Sequence, residues 1–368
     1  MSAGLQIVSS KPKHIQMAEI IRARIVSGEF KSGDRLLPDQ KMAEKYDINA
    51  RTVAAGLNIL VKEGYLARAP RRGTIIIKDG FQEAKTSNMV PMIMLHKGDV
   101  YKNIASDIAT GLVPYKLYPM LINELLVSDA TRVTSFMDAI VTDQIMPYGF
   151  FIDGCSYFPF DFLRDNIDKF NNVVFLHTYH YAEKIKKAKY ALTDLVEAGR
   201  IAARHFIDQG HKALACLARQ EKCYIGPWHS IQVQIMTGFA EVCRASNVRF
   251  SEDLFWNLLH GAPFEKTVVE LLDSRDCPTA IFAFPDFFIR SEIIPLLESK
   301  NIKPMKDIEL IGFYNTHHAE ECGFSSICIQ EKKMAEAAVK LLTGETTSQE
   351  ILIKPELIIR GRWKMQEI

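Results

Sequence analysis

The sequence lacks any apolar run approaching the ~20 residues that a membrane-spanning helix needs, and no basic stretch, apolar core and small-residue cleavage site open it. A cytoplasmic location with no membrane partner is therefore expected. Its seven cysteines, an odd number, include no C-x-x-C pair, which excludes a disulfide framework and a thiolate zinc site. It also has no G-x-S-x-G, G-x-G-x-x-G or P-loop string to carry covalent or cofactor chemistry, so neither catalysis nor a cofactor is expected. Lys and Arg (45) nearly balance Asp and Glu (44), so net charge alone is silent.

The balance breaks when the chain is cut near Gly80. Residues 1–80 hold 14 Lys/Arg against 8 Asp/Glu, and the remaining 288 hold 31 against 36. A small basic head on a mildly acidic body fits a module that binds a polyanion, because neutralising phosphates supplies most of the non-specific affinity for DNA. With 48% hydrophobic residues in a chain of 368, two or three domains with real cores are affordable, and disordered or fibrous classes are excluded.

In the head, Met17, Ile20, Ile21 and Ile25 recur at intervals of three and four, predicting a helix over 15–27 that Gly28 stops. Pro38 and Asp39 open a second, short helix ending near Tyr46, with Asp39 able to cap its free N–H groups. Asn49 is a good N-cap for a third helix striped by Val53, Leu57, Leu60 and Val61 and followed by Gly64. Strand-like segments at 65–68 and 74–77 then flank Ala69-Pro70-Arg71-Arg72-Gly73, a hairpin tip bearing two arginines. In such a winged helix-turn-helix the third helix lies in the major groove with its N-terminal residues nearest the base edges, while the hairpin reaches phosphates or the minor groove.

Several strings make this head specific: Gly28-Glu29-Phe30-Lys31-Ser32-Gly33-Asp34-Arg35-Leu36, Met42-Ala43-Glu44-Lys45-Tyr46, Arg51-Thr52-Val53, Glu63-Gly64-Tyr65-Leu66 and Arg72-Gly73-Thr74. Together they resemble the GntR-type winged-helix head across residues 11–77. The resemblance implies contacts to double-stranded DNA from Gln40, from Asn49, Arg51 and Thr52, and from Arg71, Arg72, Gly73 and Thr74. The chain departs from the usual pattern with Asn49-Ala50 in place of Ser or Thr then Arg, with Gln40 where Arg is common, and with Ala54 where another Arg is common. Asn and Gln pair well with adenine edges and Arg with guanine, so the operator cannot be transferred from relatives.

A polar linker is expected over 78–89, and from residue 90 to 368 short apolar runs alternate with helical patterns, predicting an α/β body with parallel sheets. Strands are expected at 92–95, 149–152, 173–176, 213–217, 280–284 and 309–313. Helical stripes are expected from Ala198, Ile201, Ala202 and Phe206, closed by Gly210, and from Ile289, Ile293 and Leu296. Asp194 with Gly199 to Phe206, Gly238-Phe239, Pro278 to Ala283 with Asp286, Ile311-Gly312-Phe313 and Ser325-Ser326-Ile327 resemble the LacI/GalR-type repressor core, a two-lobed fold like that of periplasmic binding proteins. The resemblance implies a small-molecule effector between the lobes, with a carbohydrate among the candidates, and a homodimer on an inverted-repeat operator.

The usual sugar anchors are largely replaced: Tyr314 stands where an Asp is expected, Ile235 where an Arg is, Pro285 where an Asn is, and His177 where a strand-end Asp is. Losing a bidentate Arg and two carboxylates removes the groups that hold vicinal hydroxyls, so an ordinary hexose is a poor expectation. The effector-site candidates are Tyr101, His177, Trp228, Asp286 and Tyr314, with Tyr179, His317 and His318 nearby; aromatic faces of this kind stack on a sugar's C–H surface or on a planar ring. The run from His317 to Cys322 is not a zinc motif and reads as a polar loop at the cleft, not a metal site. A ligand-responsive transcription regulator, with repression as the expected mode, fits all of this. An enzyme-like body on a DNA-binding head, or a body whose cleft is vestigial, remain the alternatives.

Overall fold

The computed structural model describes residues 12–69, 73–77, 87–94, 98–122, 130–142, 146–154, 158–178, 184–217 and 231–361. The chain divides into two compact units, Met1–Thr86 and Ser87–Ile368. Most of the expected linker, residues 78–86, lies outside the described residues, as does Leu95. Met89 does not extend the linker, since it already begins a strand.

In the first unit, α1 (Lys13–Val26), α2 (Asp39–Tyr46) and α3 (Ala50–Lys62) pack around Met17, Ile21, Met42, Val53, Leu57 and Leu60, all buried. The α1–α3 approach is close: a Cβ on Gly56 would stand 2.7 Å from the His14 carbonyl oxygen, so only glycine lets the two helices meet there. Strands β1 (Leu66–Ala69) and β2 (Gly73–Ile76) pair antiparallel, and Leu66, Tyr65 and Ile76 seal the core from that side. Arg22 of α1 grips the Glu63 carboxylate beyond α3 through both Nε and Nη2, at 3.1 and 2.7 Å. Asp39 does not cap α2 as expected. Pro38 occupies the N-cap position without a side-chain bond, and Asp39, one residue inside, pairs instead with Arg68 of β1 at 3.1 Å, tying the hairpin to α2.

The described residues of the second unit form two sheets. The first contains β3 (Met89–Ile93), β4 (Tyr118–Ile122), β5 (Phe150–Asp153), β6 (Val173–His177), β7 (Lys189–Thr193) and β13 (Glu350–Ile353), ordered β13-β7-β6-β5-β3-β4 and all parallel. The second contains β8 (Ala213–Leu217), β9 (Arg249–Phe250), β10 (Ala280–Ala283), β11 (Glu309–Phe313), β12 (Ser325–Cys328) and β14 (Glu356–Ile358), ordered β14-β12-β11-β10-β8-β9. The expectation of wholly parallel sheets needs one correction, because β14 runs antiparallel to β12 at an edge. Central strands such as β5, β6 and β10 are buried along their whole length, as strands covered by helices on both faces must be.

Each sheet with its helices forms a lobe, and the chain passes between lobes three times: after β7, after β12, and between β13 and β14. The helix Glu331–Thr343 returns to pack on β6 and β7, while Leu195–Asp208 packs on Ile231–Ala245 in the second lobe. This last pair is held at backbone contact distance by glycine on each side. A Cβ on Gly199 would lie 1.9 Å from the Ile235 carbonyl oxygen, and one on Gly238 would lie 1.8 Å from that of Val196. The expected stripe of Ile289, Ile293 and Leu296 shifts at its end: a π-helical turn over Ile289–Ile293 adds a residue, so Leu297 is the one buried.

Candidate DNA-binding face and interlobe cavity

Asn49 precedes α3 with extended backbone angles, and its Oδ1 accepts from the Thr52 N–H at 2.7 Å and from the Thr52 hydroxyl at 2.9 Å. The N-cap is therefore real, and it occupies the Asn49 carbonyl. An Asn bidentate to adenine needs that oxygen, so only the Asn49 amide N–H groups remain to face a base. Arg51, in the first turn of α3, is exposed, and among the described residues it makes no hydrogen bond or ion pair. Three other arginines of the head are occupied: Arg22 by Glu63, Arg24 by Glu29 at 3.6 Å, and Arg68 by Asp39.

Gln40 is exposed in the first turn of α2. Gly73 is exposed at the start of β2 with φ +78°, in the left-handed region that favours glycine. Thr74 departs from expectation: its side chain is buried, and its carbonyl oxygen accepts from the Leu36 N–H at 3.0 Å, so the residue fixes the hairpin against the preceding turn. Arg71 and Arg72 lie outside the described residues. Sequence reasoning passed over Arg35, which is exposed and bridges Ile75 of β2 through its backbone. Its signal was its position in the Gly33-Asp34-Arg35 turn, whose Asp34 carboxylate accepts from the Lys31 N–H at 2.7 Å and sets the turn's shape.

In the second unit, a cavity of about 350 Å³ opens between the two lobes. From the first lobe come Gly98, Asp99 and Tyr101; from the second come Gln232, Phe284, Phe287, Tyr314, Thr316 and the pair His317-His318. Strand ends position them, since Tyr314 directly follows β11 and Phe284 directly follows β10, placing the cavity where ligands of open parallel sheets bind. Tyr101 and Tyr314 rings meet edge to face at 6.4 Å across the lobes. The Tyr314 backbone has φ +94°, costly for a non-glycine residue, and so strained a residue at a strand end marks a site whose surroundings hold it in place.

His177 sits behind Tyr314 and does not line the cavity. It is buried, its Nδ1 lies 2.7 Å from the Thr193 hydroxyl, and its Nε2 lies 3.3 Å from the Tyr314 hydroxyl of the other lobe. Asp286 is likewise not at the cavity wall. Its fully buried carboxylate accepts from the Ser326 hydroxyl at 2.7 Å and from the Thr316 N–H at 2.6 Å, fastening the loop after β11. Gly312 makes this possible, because a Cβ there would lie 2.1 Å from Asp286 Oδ1. Trp228 and Tyr179 lie outside the described residues.

The segment expected to be a loop at 317–322 is the short helix His317–Cys322, closed by Gly323 at φ +74°. His317 Nδ1 lies 3.4 Å from the Asp99 carboxylate of the other lobe, and Arg290 pairs with Glu321 at 2.7 Å and with His318 at 2.9 Å. Burial, the neighbouring His317 and Arg290 together hold the His318 imidazole below its ordinary value. Among the described residues no three His, Cys, Asp or Glu side chains converge as a metal site would require.

Burial pushes the Asp286 carboxyl up to about 6, against the opposing pull of the Ser326, Thr316 and Phe313 hydrogen bonds. A carboxyl raised on folding favours the protonated chain, so its contribution is complete below the unfolded value near 4 and is lost as pH rises through about 6. A shift of this size is worth about 3 kcal/mol. Urea denaturation of the wild type between pH 4 and 7 is expected to show that decline, and Asp286→Asn is expected to flatten it while lowering stability throughout. Identical pH slopes for the two chains would contradict the assignment.

The model for bacterial regulatory proteins of the gntR family matches residues 15–76. The head is of the gntR type. The HTH-type transcriptional regulator DegA of Bacillus subtilis is 28% identical over 175 residues, 45% of this chain and 50% of DegA, so the alignment spans about half of that relative. The arabinose metabolism transcriptional repressor of Geobacillus stearothermophilus is 20% identical across 96% of this chain and 98% of its own length. Among solved structures, a putative ribose operon repressor from Burkholderia thailandensis covers 74% of this chain and all of itself, with a TM-score of 0.60 at 16% identity. That likeness shows the fold alone: two lobes, each built on a parallel sheet apart from the antiparallel β14 at one edge.

Proposed function

We propose that this chain is a transcription regulator, in which the gntR-type head binds duplex DNA and a small molecule in the interlobe cavity changes that binding. The observation that carries the reading is the exposed Arg51, without an ion-pair partner among the described residues, at the leading turn of an Asn49-capped α3, on a head where three other arginines are consumed by the fold. The names of an arabinose metabolism transcriptional repressor among its relatives and of a putative ribose operon repressor among structures of like fold support repression as the mode and a carbohydrate or similar compact ring as the effector. A cavity of about 350 Å³ with aromatic walls accommodates such a ring. A homodimer placing two heads on an inverted repeat completes the reading.

Binding of the full chain to random and selected duplexes across a salt series tests the DNA half. Affinity should fall steeply as salt rises, since each neutralised phosphate releases counterions. Arg35→Ala is expected to weaken all duplexes alike and to lower the salt slope by about 1, the behaviour of a phosphate contact. A slope unchanged by that substitution would remove Arg35 from the interface. Thermal shifts with a panel of pentoses, hexoses and nucleosides test the effector half, because a ligand present at 100 times its Kd stabilises the folded body by roughly 2.7 kcal/mol.

A further inference from the structure

Given a head that binds duplex DNA, as proposed above, we infer that α3 reads its half-site chiefly through thymine methyl groups, with Arg51 supplying a single guanine contact. The helix is buried along Val53, Gly56, Leu57 and Leu60. At 100° per residue the face turned away from that stripe carries Arg51, Ala55 and Asn58 with Ala54 at its edge, all within roughly 100° of one another, while Ala50 falls beside Leu57. Arg51, Ala55 and Asn58 are exposed, and Ala50 and Ala54 are half-buried.

Thr52, beside this face, spends its hydroxyl donor on Asn49 Oδ1. The same bond occupies the Asn49 carbonyl, so this side chain cannot make the paired contact that selects adenine. What the leading half of α3 presents to a groove is therefore two methyl groups, of Ala54 and Ala55, beside one guanidinium. Alanine methyls are complementary to the thymine C5-methyl, which projects into the major groove, and a guanidinium is complementary to guanine O6 and N7. Small side chains at 54 and 55 also let the helix approach the base edges closely enough for methyl-to-methyl contact.

The test begins with duplexes selected by the full chain from random DNA. In the selected sequence each thymine is replaced in turn by deoxyuridine, which removes the methyl and leaves the hydrogen-bonding edge unchanged, and each guanine by 7-deazaguanine, which removes N7. Deoxyuridine is expected to weaken binding about fourfold at one or more thymines of each half-site, the value of one buried carbon. Ala54→Ser or Ala55→Ser should bring that ratio to one at a single thymine while keeping the 7-deazaguanine effect. Arg51→Ala should abolish the 7-deazaguanine effect and keep the thymine effect. Selected duplexes indifferent to deoxyuridine at every position, yet sensitive to 7-deazaguanine, would overturn the methyl code while leaving DNA binding intact. Selection that returns no preferred sequence would overturn both the code and the reading beneath it.

Discussion

Arg51→Ala should cost the protein about 1 to 3 kcal/mol on its cognate operator and far less on random DNA. The asymmetry follows from the position of Arg51 in the first turn of α3, whose helix is fixed from below by Val53 and Leu57 and at its start by the Asn49 cap. A guanidinium on so rigid a platform loses little freedom when it meets a planar base edge, and its partner base is left unsatisfied when it is removed. Fluorescence anisotropy with both duplexes, at one fixed salt concentration, gives the ratio. Equal loss on both would make Arg51 a phosphate contact and leave sequence recognition to other positions.

Gly238→Ala should lower the stability of the second unit by about 3 kcal/mol, on the order of 6 to 12 °C in its unfolding temperature. The added methyl would have to occupy a point 1.8 Å from the Val196 carbonyl oxygen, and Gly199 leaves no slack from the facing helix because the Ile235 carbonyl oxygen already lies 1.9 Å from its own Cβ position. Relief requires the two helices to part, exposing Ala202, Ile235 and Phe239, which are fully buried beneath them. Thr237→Ala, one residue earlier on the exposed side of the same helix, should stay within about 0.5 kcal/mol. Calorimetry resolves the comparison, and a Gly238→Ala protein that melts with the wild type would mean the helices do not meet as described.

How much of this was legible beforehand follows a physical division. The head was readable nearly to the residue, because short helices separated by Gly28, Pro38, Asn49 and Gly64 announce their own ends, and α2 and the α3 cap fall where those signals put them. In the body, β8 and β11 have the bounds expected of them, since central strands are continuous apolar runs. The edge strands were missed, and with them the inner β7 and β12: β4 is exposed at Tyr118, Pro119 and Leu121, β9 has two residues, and β7, β13 and β14 carry charges. Their places depend on neighbours far away in sequence, to which periodicity is blind.

The same limit governed the candidate sites. Aromatic composition pointed to Tyr101 and Tyr314, which line the cavity, but it could not say that His177 stands behind Tyr314 or that Asp286 is consumed by Ser326 and Thr316. Nor could residue type alone distinguish Arg51 from Arg22 and Arg68. That difference is made by Glu63 and Asp39, which reach their arginines from 41 and 29 residues away.

The triple passage of the backbone between sheets has a consequence for dissecting the molecule. Neither lobe is a continuous stretch of sequence: one takes 87–193 together with 331–353, the other 194–328 together with 356–361. A stop codon placed before residue 350 would strip an edge strand from both at once, and no single cut could liberate either as an intact fragment. Genetic separation of the halves will therefore demand rewired connectivity, such as a permuted gene, in place of simple shortening.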